Sequence, residues 1–230
     1  VVLCGPFLHH KSTLTTLIKS GVNVVGVCIC DETTFGYPLK YLKISLMKKG
    51  IFQLISQILG RLVYNFFNKK KDALIYKKLF NEEEISKVLE SWDGKIYNTS
   101  SFNKSSTIEW LRKINPDIFV VHTGSWIGKN IRSIPKKKII IGGHPGLTPN
   151  YRGSHSPFWA IYNNKISHIG CSIFWLDGGV DTGDLISQSK IQVESGDSYI
   201  TLSWKGMISQ ARMQAETILN YDQGNPIPKS

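Results

Sequence analysis

Cysteine is scarce in this sequence, with four residues in a chain of 230. All four fall in apolar stretches that are typical of strands: Cys4, Cys28, Cys30 and Cys171. Cys28 and Cys30 are two positions apart, which places them on one face of a strand and makes them a poor disulfide pair. No second Cys or His cluster has ligand spacing, so no metal site is predicted. The pattern favours buried thiols in a reducing compartment, and we expect a cytoplasmic protein.

Acidic residues are also in short supply, since 17 Asp and Glu stand against 28 Lys and Arg and the net charge is +11. The excess is concentrated in residues 40–80, where Asp72 is the one acid among ten bases. Such a patch attracts anions, for example a nucleotide diphosphate, RNA or an acidic lipid surface. A solvated lysine-rich face explains the same composition equally well.

Long uncharged hydrophobic runs and signal-peptide patterns are missing too. The apolar stretch Ile51–Gly60 contains two glutamines and is far shorter than the roughly 20 residues that span a membrane. Apolar residues around it recur every three or four positions, which predicts an amphipathic helix or helix pair near Gly50. We expect this face to pack on the sheet or on a partner subunit, as in a homodimer, and contact with a membrane surface is the alternative. Because the chain begins with Val1, a few residues are expected upstream.

Strands and helices alternate along most of the chain. The opening predicts a strand at Val1–Cys4, a helix capped by Ser12 and ended by Gly21, and a strand at Val22–Cys30. Asn81, with Glu84 three residues later, is typical of another helix start. Further strands are predicted near Lys95–Asn98, Asp117–His122, Lys138–Gly142, Gly170–Leu176 and Leu185–Val193, and further helices at Ser105–Lys113, Ser156–Tyr162 and Tyr199–Asn220.

This alternation predicts an α/β fold of one domain. We expect a Rossmann-like, doubly wound, mostly parallel sheet over residues 1–230, with a basic helical insertion at about 38–93.

Glycine-rich loops follow two of the predicted strands. Residues 142–146 deliver the imidazole of His144 to the carboxyl edge of the sheet, where open α/β sheets bind their ligands. Residues 177–183 carry Asp181. If the two strands are neighbours, Asp181 reaches His144, raises its pKa and fixes its tautomer, which suits proton transfer near neutral pH. On these residues alone, a structural role for the pair is an equal alternative.

Motif residues follow one another in order through residues 138–186: His144-Pro145, Leu147, Pro149, Tyr151-Arg152-Gly153, Pro157, Trp159-Ala160-Ile161, Gly170, Ser172 and Asp181-Thr182-Gly183. This order resembles the signature of the formyltransferase catalytic domain, which methionyl-tRNA formyltransferase, glycinamide ribonucleotide transformylase and nucleotide-sugar N-formyltransferases share. Gly5-Pro6-Phe7 is similar to the family's first loop, and Pro116-Asp117 opens the strand before its folate loop. Residues 38–93 do not resemble the family.

The resemblance implies an enzyme that moves a formyl group from 10-formyltetrahydrofolate to a primary amine. It implies that His144 donates a hydrogen bond or proton to the developing oxyanion, and that Asp181 holds His144 and helps to take the proton of the amine. It also implies that the pterin lies between two loops, formed by Ser125, Trp126 and Ile127 and by Gly178, Gly179 and Val180.

One position departs from the family's pattern, because Gly142 stands where the family has Asn, two residues before the His. Loss of an oxyanion donor lowers turnover by about 10²–10³. A change made to trap a complex, a natural loss of activity, and replacement by another donor are three open explanations. Ser154 and His155 are the candidate donors, and both also read as a helix cap. We favour an impaired formyltransferase; a catalytically silent folate- or nucleotide-binding protein is the alternative.

The resemblance leaves the amine acceptor open. A tRNA is disfavoured, because the sequence ends at Ser230 without the C-terminal β-barrel of methionyl-tRNA formyltransferases. Glycinamide ribonucleotide transformylases usually lack the Tyr-Arg-Gly motif and the basic insertion. An anionic nucleotide-linked amino sugar fits better, with Phe35, Tyr37 and Tyr41 as possible base-stacking residues. A NAD-dependent dehydrogenase is disfavoured, because residues 5–10 form no GxGxxG motif.

Overall fold

Seven strands form one sheet in the computed structural model, which describes residues 1–31, 55, 58–60 and 62–229. Numbered along the chain, the strands are β1 (Val2–Cys4), β2 (Gly26–Cys30), β3 (Lys95–Thr99), β4 (Ile118–His122), β5 (Ile139–His144), β6 (Gly170–Trp175) and β7 (Leu185–Lys190). Their order in the sheet is β3-β2-β1-β4-β5-β6-β7. The pairs from β3 to β5 are parallel, and β6 runs antiparallel to β5 and to β7. The predicted mostly parallel α/β fold is confirmed.

Helices cover both faces of the sheet. They are α1 (Leu8–Lys19), α2 (Lys69–Leu79), α3 (Glu82–Ser91), α4 (Ser105–Ile114), α5 (Lys129–Arg132), α6 (Ser156–Tyr162) and α7 (Tyr199–Asp222), with a 3-10 turn at Ile166–His168. One face packs against α1 and α7 through a core that includes Leu17 and Ala215. The opposite face packs against α4 and α5 through Leu111 and Ile131. The central strands are buried on both sides, as their continuous apolar runs predict.

The first helix differs from the prediction at its start. It begins at Leu8 with Phe7 at the N-cap and no side-chain cap, so Ser12 lies inside the helix and the predicted cap is wrong. The carbonyl oxygen of Ser12 instead accepts hydrogen bonds from the hydroxyls of Thr15 and Thr16. Contacts with distant residues explain the earlier start, since the backbone N–H of His9 donates to the Tyr76 hydroxyl at 3.2 Å. The predicted end is right, because Gly21 follows the helix with φ of +89°.

Part of the predicted insertion lies within the described residues. Residues 58–60 and 62–67 are helical, and α2 and α3 follow. The cap at Asn81 is confirmed, since its side-chain oxygen accepts from the backbone N–H of Glu84 at 3.2 Å. Buried Asp72 accepts hydrogen bonds at 2.9 Å from the hydroxyls of Tyr64 and Ser198, which ties this helical segment to the start of α7.

The apolar side chains of residues 62–67 do not pack on the sheet. Phe66 is 82% exposed and Phe67 is 69% exposed in the described part of the chain. Gly50 and the proposed stacking residues Phe35, Tyr37 and Tyr41 lie outside the described residues. No helix among the described residues is long and apolar enough to cross a membrane. All four cysteine side chains are buried.

Candidate functional site

His144 and Asp181 lie side by side at one edge of the sheet. His144 is the last residue of β5 and pairs with Ser172 of the neighbouring antiparallel strand β6. The loop after β6 turns back and carries Asp181 in a left-handed conformation with φ of 52°. Nδ1 of His144 is 3.3 Å from Oδ2 of Asp181. The structure therefore brings together the two side chains that the sequence singled out.

Both nitrogens of the His144 ring face polar atoms. Nε2 is 2.9 Å from the carbonyl oxygen of Tyr151 and 2.8 Å from the hydroxyl of Ser156. Burial lowers the pKa of His144 below 6.5, and the opposing effects of the Asp181 carboxylate and the Tyr151 carbonyl are smaller. The carboxylate of Asp181 does raise the pKa, as expected from the sequence, but removal of the imidazole from water outweighs it and the net shift is downward. Nε2 faces the carbonyl oxygen of Tyr151 and Nδ1 faces the carboxylate of Asp181, so a hydrogen on either nitrogen has an acceptor in place.

Asp181 is held by the loop that follows β5. Its Oδ2 accepts a hydrogen bond from the backbone N–H of Gly153 at 2.9 Å. The same loop is anchored by Ser172, whose hydroxyl donates to the carbonyl of Gly146 at 2.8 Å and accepts from the N–H of Thr148 at 3.0 Å. The carboxylate and the imidazole are thus fixed by main-chain contacts from one loop, which limits their movement relative to each other.

A cavity of about 460 Å³ opens beside this pair. Its volume falls within the range of small-molecule sites. Five of the six residues assigned to the pterin slot line it: Ser125, Trp126, Ile127, Gly179 and Val180. Gly178 belongs to the same loop but is not among the lining residues. The two predicted loops therefore face one cavity together with His144 and Asp181.

Arg132, which the sequence analysis did not single out, joins the two loops. Its guanidinium donates to the carbonyl of Ile127 at 3.1 Å and to the carbonyl of Asp177 at 2.9 Å. It also lies 6.0 Å from the ring centre of Trp126. The sequence could not predict this role of Arg132, because the partners of its side chain are main-chain oxygens, one of which belongs to a distant segment.

Gly142 and Gly143 are closely packed on opposite faces of β5. A Cβ at Gly142 would lie 2.7 Å from Cε2 of Phe174 and 3.2 Å from Cδ1 of Leu176. A Cβ at Gly143 would lie 2.8 Å from Nε2 of Gln210 in α7. A side chain at position 142 would therefore fit only if Phe174 moved. The Gln210 amide occupies the space that a side chain at position 143 would fill.

Ser154 and His155 line the cavity and are exposed. His155 is the N-cap residue of α6, but it makes no capping hydrogen bond through its side chain. Its ring centre lies 5.7 Å from that of Tyr199. The capping interpretation therefore lacks a side-chain contact, and the proposed donor roles of both residues stay predictions.

A second polar wall of the cavity is formed by His10, His122 and Gln210, which the sequence analysis also missed. The rings of His10 and His122 are 5.5 Å apart, and Nδ1 of His122 is hydrogen-bonded to the hydroxyl of Thr13. Burial lowers the pKa of His10 to about 2 and that of His122 to about 3. The described residues contain no group of three His, Cys, Asp or Glu side chains that could hold a metal ion. The adjacent His9 and His10, just after the Gly5-Pro6 loop, were the available sequence signal.

Comparison with known proteins places this site in a family. The family model for formyl transferases matches residues 54–215, more than half of the chain. This range includes part of the predicted insertion, whose status as an insertion stays a prediction.

Two curated relatives carry different substrate names. A methionyl-tRNA formyltransferase from Caldicellulosiruptor saccharolyticus is 37% identical over 120 residues, which cover 52% of this chain and 38% of the relative. A GDP-perosamine N-formyltransferase from Brucella melitensis is 31% identical over 131 residues, which cover 56% of this chain and 50% of the relative. The matched part of this chain thus spans half or less of these curated relatives.

A solved structure of a phosphoribosylglycinamide formyltransferase from Anaplasma phagocytophilum has the same fold. It superposes with a TM-score of 0.62 and 14% identity, over 97% of this chain and 86% of that one. The likeness in fold agrees with the family match, and the motif residues of 138–186 fall inside the matched range. The chain belongs to the formyl transferase family.

Proposed function

We propose that this chain is a folate-dependent N-formyltransferase that transfers a formyl group from 10-formyltetrahydrofolate to a primary amine. The observation that carries the proposal is the 3.3 Å approach of the His144 imidazole to the Asp181 carboxylate on the wall of a cavity. Carboxylate and imidazole together provide a proton acceptor and a hydrogen-bond donor for one reaction centre.

In this proposal a reduced pterin binds in the cavity between its two loops. Trp126 is 54% exposed at the edge of one loop and offers an aromatic surface, and Val180 lies on the other. Arg132 fixes both walls from behind through the carbonyls of Ile127 and Asp177. Bound 10-formyltetrahydrofolate supplies the formyl group and departs as tetrahydrofolate.

His144 and Asp181 have complementary tasks in this proposal. The amine nitrogen attacks the formyl carbon, and the electrons of the C=O bond move to oxygen. The hydrogen on Nδ1 of His144, which faces Asp181 in the free site, then donates to this oxyanion. Asp181 accepts the proton that the attacking nitrogen loses. When the carbon–nitrogen bond to the folate breaks, that proton passes to the departing nitrogen, so charge and protons balance. Since Gly142 offers no amide donor, we expect turnover about 10²–10³ below that of an enzyme with Asn there.

A nucleotide-linked amino sugar is the acceptor that we favour. Support comes from the relative named GDP-perosamine N-formyltransferase and from the lysines at positions 69–71, which attract phosphate groups. Methionyl-tRNA is the second candidate, because the relative from Caldicellulosiruptor saccharolyticus carries that name and basic surfaces also bind RNA.

Formyl transfer is tested with purified protein, 10-formyltetrahydrofolate and three amines: GDP-perosamine, phosphoribosylglycinamide and methionyl-tRNA. Mass spectrometry of the acceptor and release of tetrahydrofolate are the readouts. We expect the formylated amino sugar, and a loss of about 10²–10⁴ in turnover for His144→Asn and Asp181→Asn.

Asp184→Asn is the matched control, since Asp184 is an exposed carboxylate three residues after Asp181. It is expected to keep wild-type turnover. Folate binding by the wild type without transfer to any of the three amines would identify a silent binding protein instead. Wild-type turnover in His144→Asn would remove the proposed role of that ring.

A further inference from the structure

One helical segment has an apolar face that the rest of the described chain leaves largely exposed. It comprises residues 58–60 and 62–67, with Ile55 one turn earlier also helical. The large apolar side chains on this face have exposed fractions between 47% and 82%. These residues, which we call the apolar stripe, are Ile55, Ile58, Leu59, Leu62, Val63, Phe66 and Phe67. Single exposed apolar residues are common on protein surfaces, but a contiguous group marks an interaction site.

The apolar stripe runs along the outer side of the helical segment. Its members recur at spacings of three and four residues, which puts them on one side because a helix turns once in about 3.6 residues. Tyr64 lies on the opposite side, where it is partly buried and its hydroxyl donates to Asp72 at 2.9 Å. Asp72 also accepts from Ser198, the N-cap residue of α7. The side with Tyr64 therefore faces the body of the protein, and the apolar stripe faces away from it.

Positive charge lies next to the apolar stripe. Lysines follow it directly at positions 69–71 and again at Lys77 and Lys78, and their side chains are exposed. No carboxylate in the described part of the chain forms an ion pair with any of these lysines. Asp72 is the acid in this stretch, and it is buried among its hydrogen-bond donors. The charge favours an anionic partner at the same place where the stripe favours an apolar one.

We propose that the apolar stripe binds the surface of an anionic phospholipid bilayer. Phe66 and Phe67 enter the boundary between headgroups and acyl chains, while the lysines at positions 69–71 contact the lipid phosphates. A helix that is apolar on one side and adjoins a cluster of lysines is typical of such interfacial binding, in which the helix lies along the bilayer without crossing it. The inference goes beyond the proposed formyl transfer and does not depend on it.

A bilayer fits this surface better than a second copy of the chain or a soluble anion. Two stripes packed together would add the positive charge of two segments at one interface, and the described residues between 55 and 80 offer no exposed acid to balance it. A nucleotide phosphate, which the lysines also attract, leaves the apolar side chains in water. Anionic lipids satisfy both the lysines and the apolar stripe.

Co-sedimentation of the purified full chain with vesicles tests the proposal. One set of vesicles contains equal parts of phosphatidylcholine and phosphatidylglycerol, and the other contains phosphatidylcholine alone. We expect binding to the anionic vesicles and little binding to the neutral ones. Binding to the anionic vesicles is expected to weaken as the salt concentration rises, because salt screens the attraction between lysines and lipid phosphates.

Two variants separate the apolar contribution from the charged one. Phe66→Ser combined with Phe67→Ser is expected to weaken binding to anionic vesicles at least about tenfold, because two phenyl groups no longer leave water. Lys69→Gln, Lys70→Gln and Lys71→Gln together are expected to weaken it about 10²-fold, since each lysine near an anionic surface contributes about fivefold in affinity. These side chains are exposed, so we expect both variants to keep the fold.

Matched controls make the same kinds of change elsewhere. Tyr162→Ser removes an exposed aromatic side chain of α6. Lys136→Gln, Lys137→Gln and Lys138→Gln together remove a second exposed lysine triplet, which directly precedes β5 at the opposite edge of the sheet from His144. We expect both controls to bind anionic vesicles within about twofold of the wild type.

Several results would overturn the membrane surface. They are equal binding, or none, to both kinds of vesicle, wild-type binding by the phenylalanine variant, and an equal loss of binding in the controls. A wild-type dimer in analytical ultracentrifugation that the phenylalanine substitutions dissociate would also overturn it, since a second copy would then cover the apolar stripe. Formyl transfer is assayed separately without vesicles, so failure of either proposal leaves the other standing.

Discussion

The ring of Phe174 occupies the space into which a side chain at Gly142 would project. A Cβ at position 142 would lie 2.7 Å from Cε2 of that ring, closer than side-chain contacts in folded proteins. Phe174 pairs with Gly142 across β5 and β6 and is 2% exposed, so it has little room to move. The resemblance implies an asparagine at this position, and here the ring of Phe174 occupies the space that its side chain would fill.

Gly142→Asn alone is therefore expected to destabilise the fold rather than restore an amide donor. Overpacking against Phe174 is expected to lower the free energy of unfolding by about 1–3 kcal/mol, with no gain in turnover. Denaturant unfolding and formyl-transfer assays measure the two effects. A gain of 10²-fold in turnover from this substitution alone would contradict the prediction.

Phe174→Ala provides the control for this contact. By itself it is expected to destabilise by about 3–5 kcal/mol, because it leaves a cavity in the core. In the double variant the asparagine has room, so the combined loss is expected to be smaller than the sum of the two single losses. Additive losses would show that Phe174 does not limit the space at position 142.

Arg132 is expected to act on the folate slot through the two loops that it joins. Arg132→Met removes the donors to the carbonyls of Ile127 and Asp177, so both walls become less ordered. We expect KM for 10-formyltetrahydrofolate to rise about tenfold. A hydrogen bond that involves a charged group contributes about 1.5–3 kcal/mol, and water that replaces the guanidinium offsets part of this loss.

Steady-state kinetics with each substrate varied in turn separates this effect from a general loss of structure. KM for the amine acceptor is expected to stay within about twofold of the wild type. Arg112→Met removes an exposed arginine of α4 and is expected to change neither constant. A rise in both KM values for Arg132→Met would indicate a global effect.

His122 makes the stability of the fold sensitive to acid. Burial lowers its pKa from 6.5 to about 3 in the folded chain. Between these values the unfolded chain binds a proton that the folded chain does not, so this contribution to stability is present above pH 6.5 and is lost as pH falls towards 3. The slope is at most about 1.4 kcal/mol per pH unit for one group.

Urea unfolding between pH 7 and pH 4.5 measures this slope. His122→Asn removes the buried titrating group and keeps an amide near Thr13, so the dependence on pH is expected to become shallower by about 1 kcal/mol per pH unit. An unaltered slope in His122→Asn would mean that the folded chain also protonates this ring.

The sequence by itself determined the class of fold and identified His144 and Asp181 as the candidate site residues. Apolar runs at strand length and helical periodicity are local properties, and they located most elements to within a few residues. The glycine-rich loop after β5 placed His144 at the carboxyl edge of the parallel strands, because that edge is where such strands deliver their loops. Asp181 follows β6, which runs antiparallel to β5, so its carboxylate reaches the same edge only because the loop after β6 turns back. The ordered motif residues between 138 and 186 added the family.

Local signals failed where distant residues decide the outcome. The start of α1 follows from contacts that include the Tyr76 hydroxyl, 67 residues away from His9. The pKa of His144 was expected to rise because the nearby carboxylate could be inferred, whereas the depth of burial could not.

Only the tertiary structure decided which side chains surround the site. The amide of Gln210 lies against Gly143, the ring of Phe174 fills the space beside Gly142, and Arg132 joins two loops that are distant in sequence. Each of these contacts depends on which strands are neighbours and on how a helix is rotated over the sheet. Those quantities are set by the packing of the whole core, which no short segment of sequence encodes.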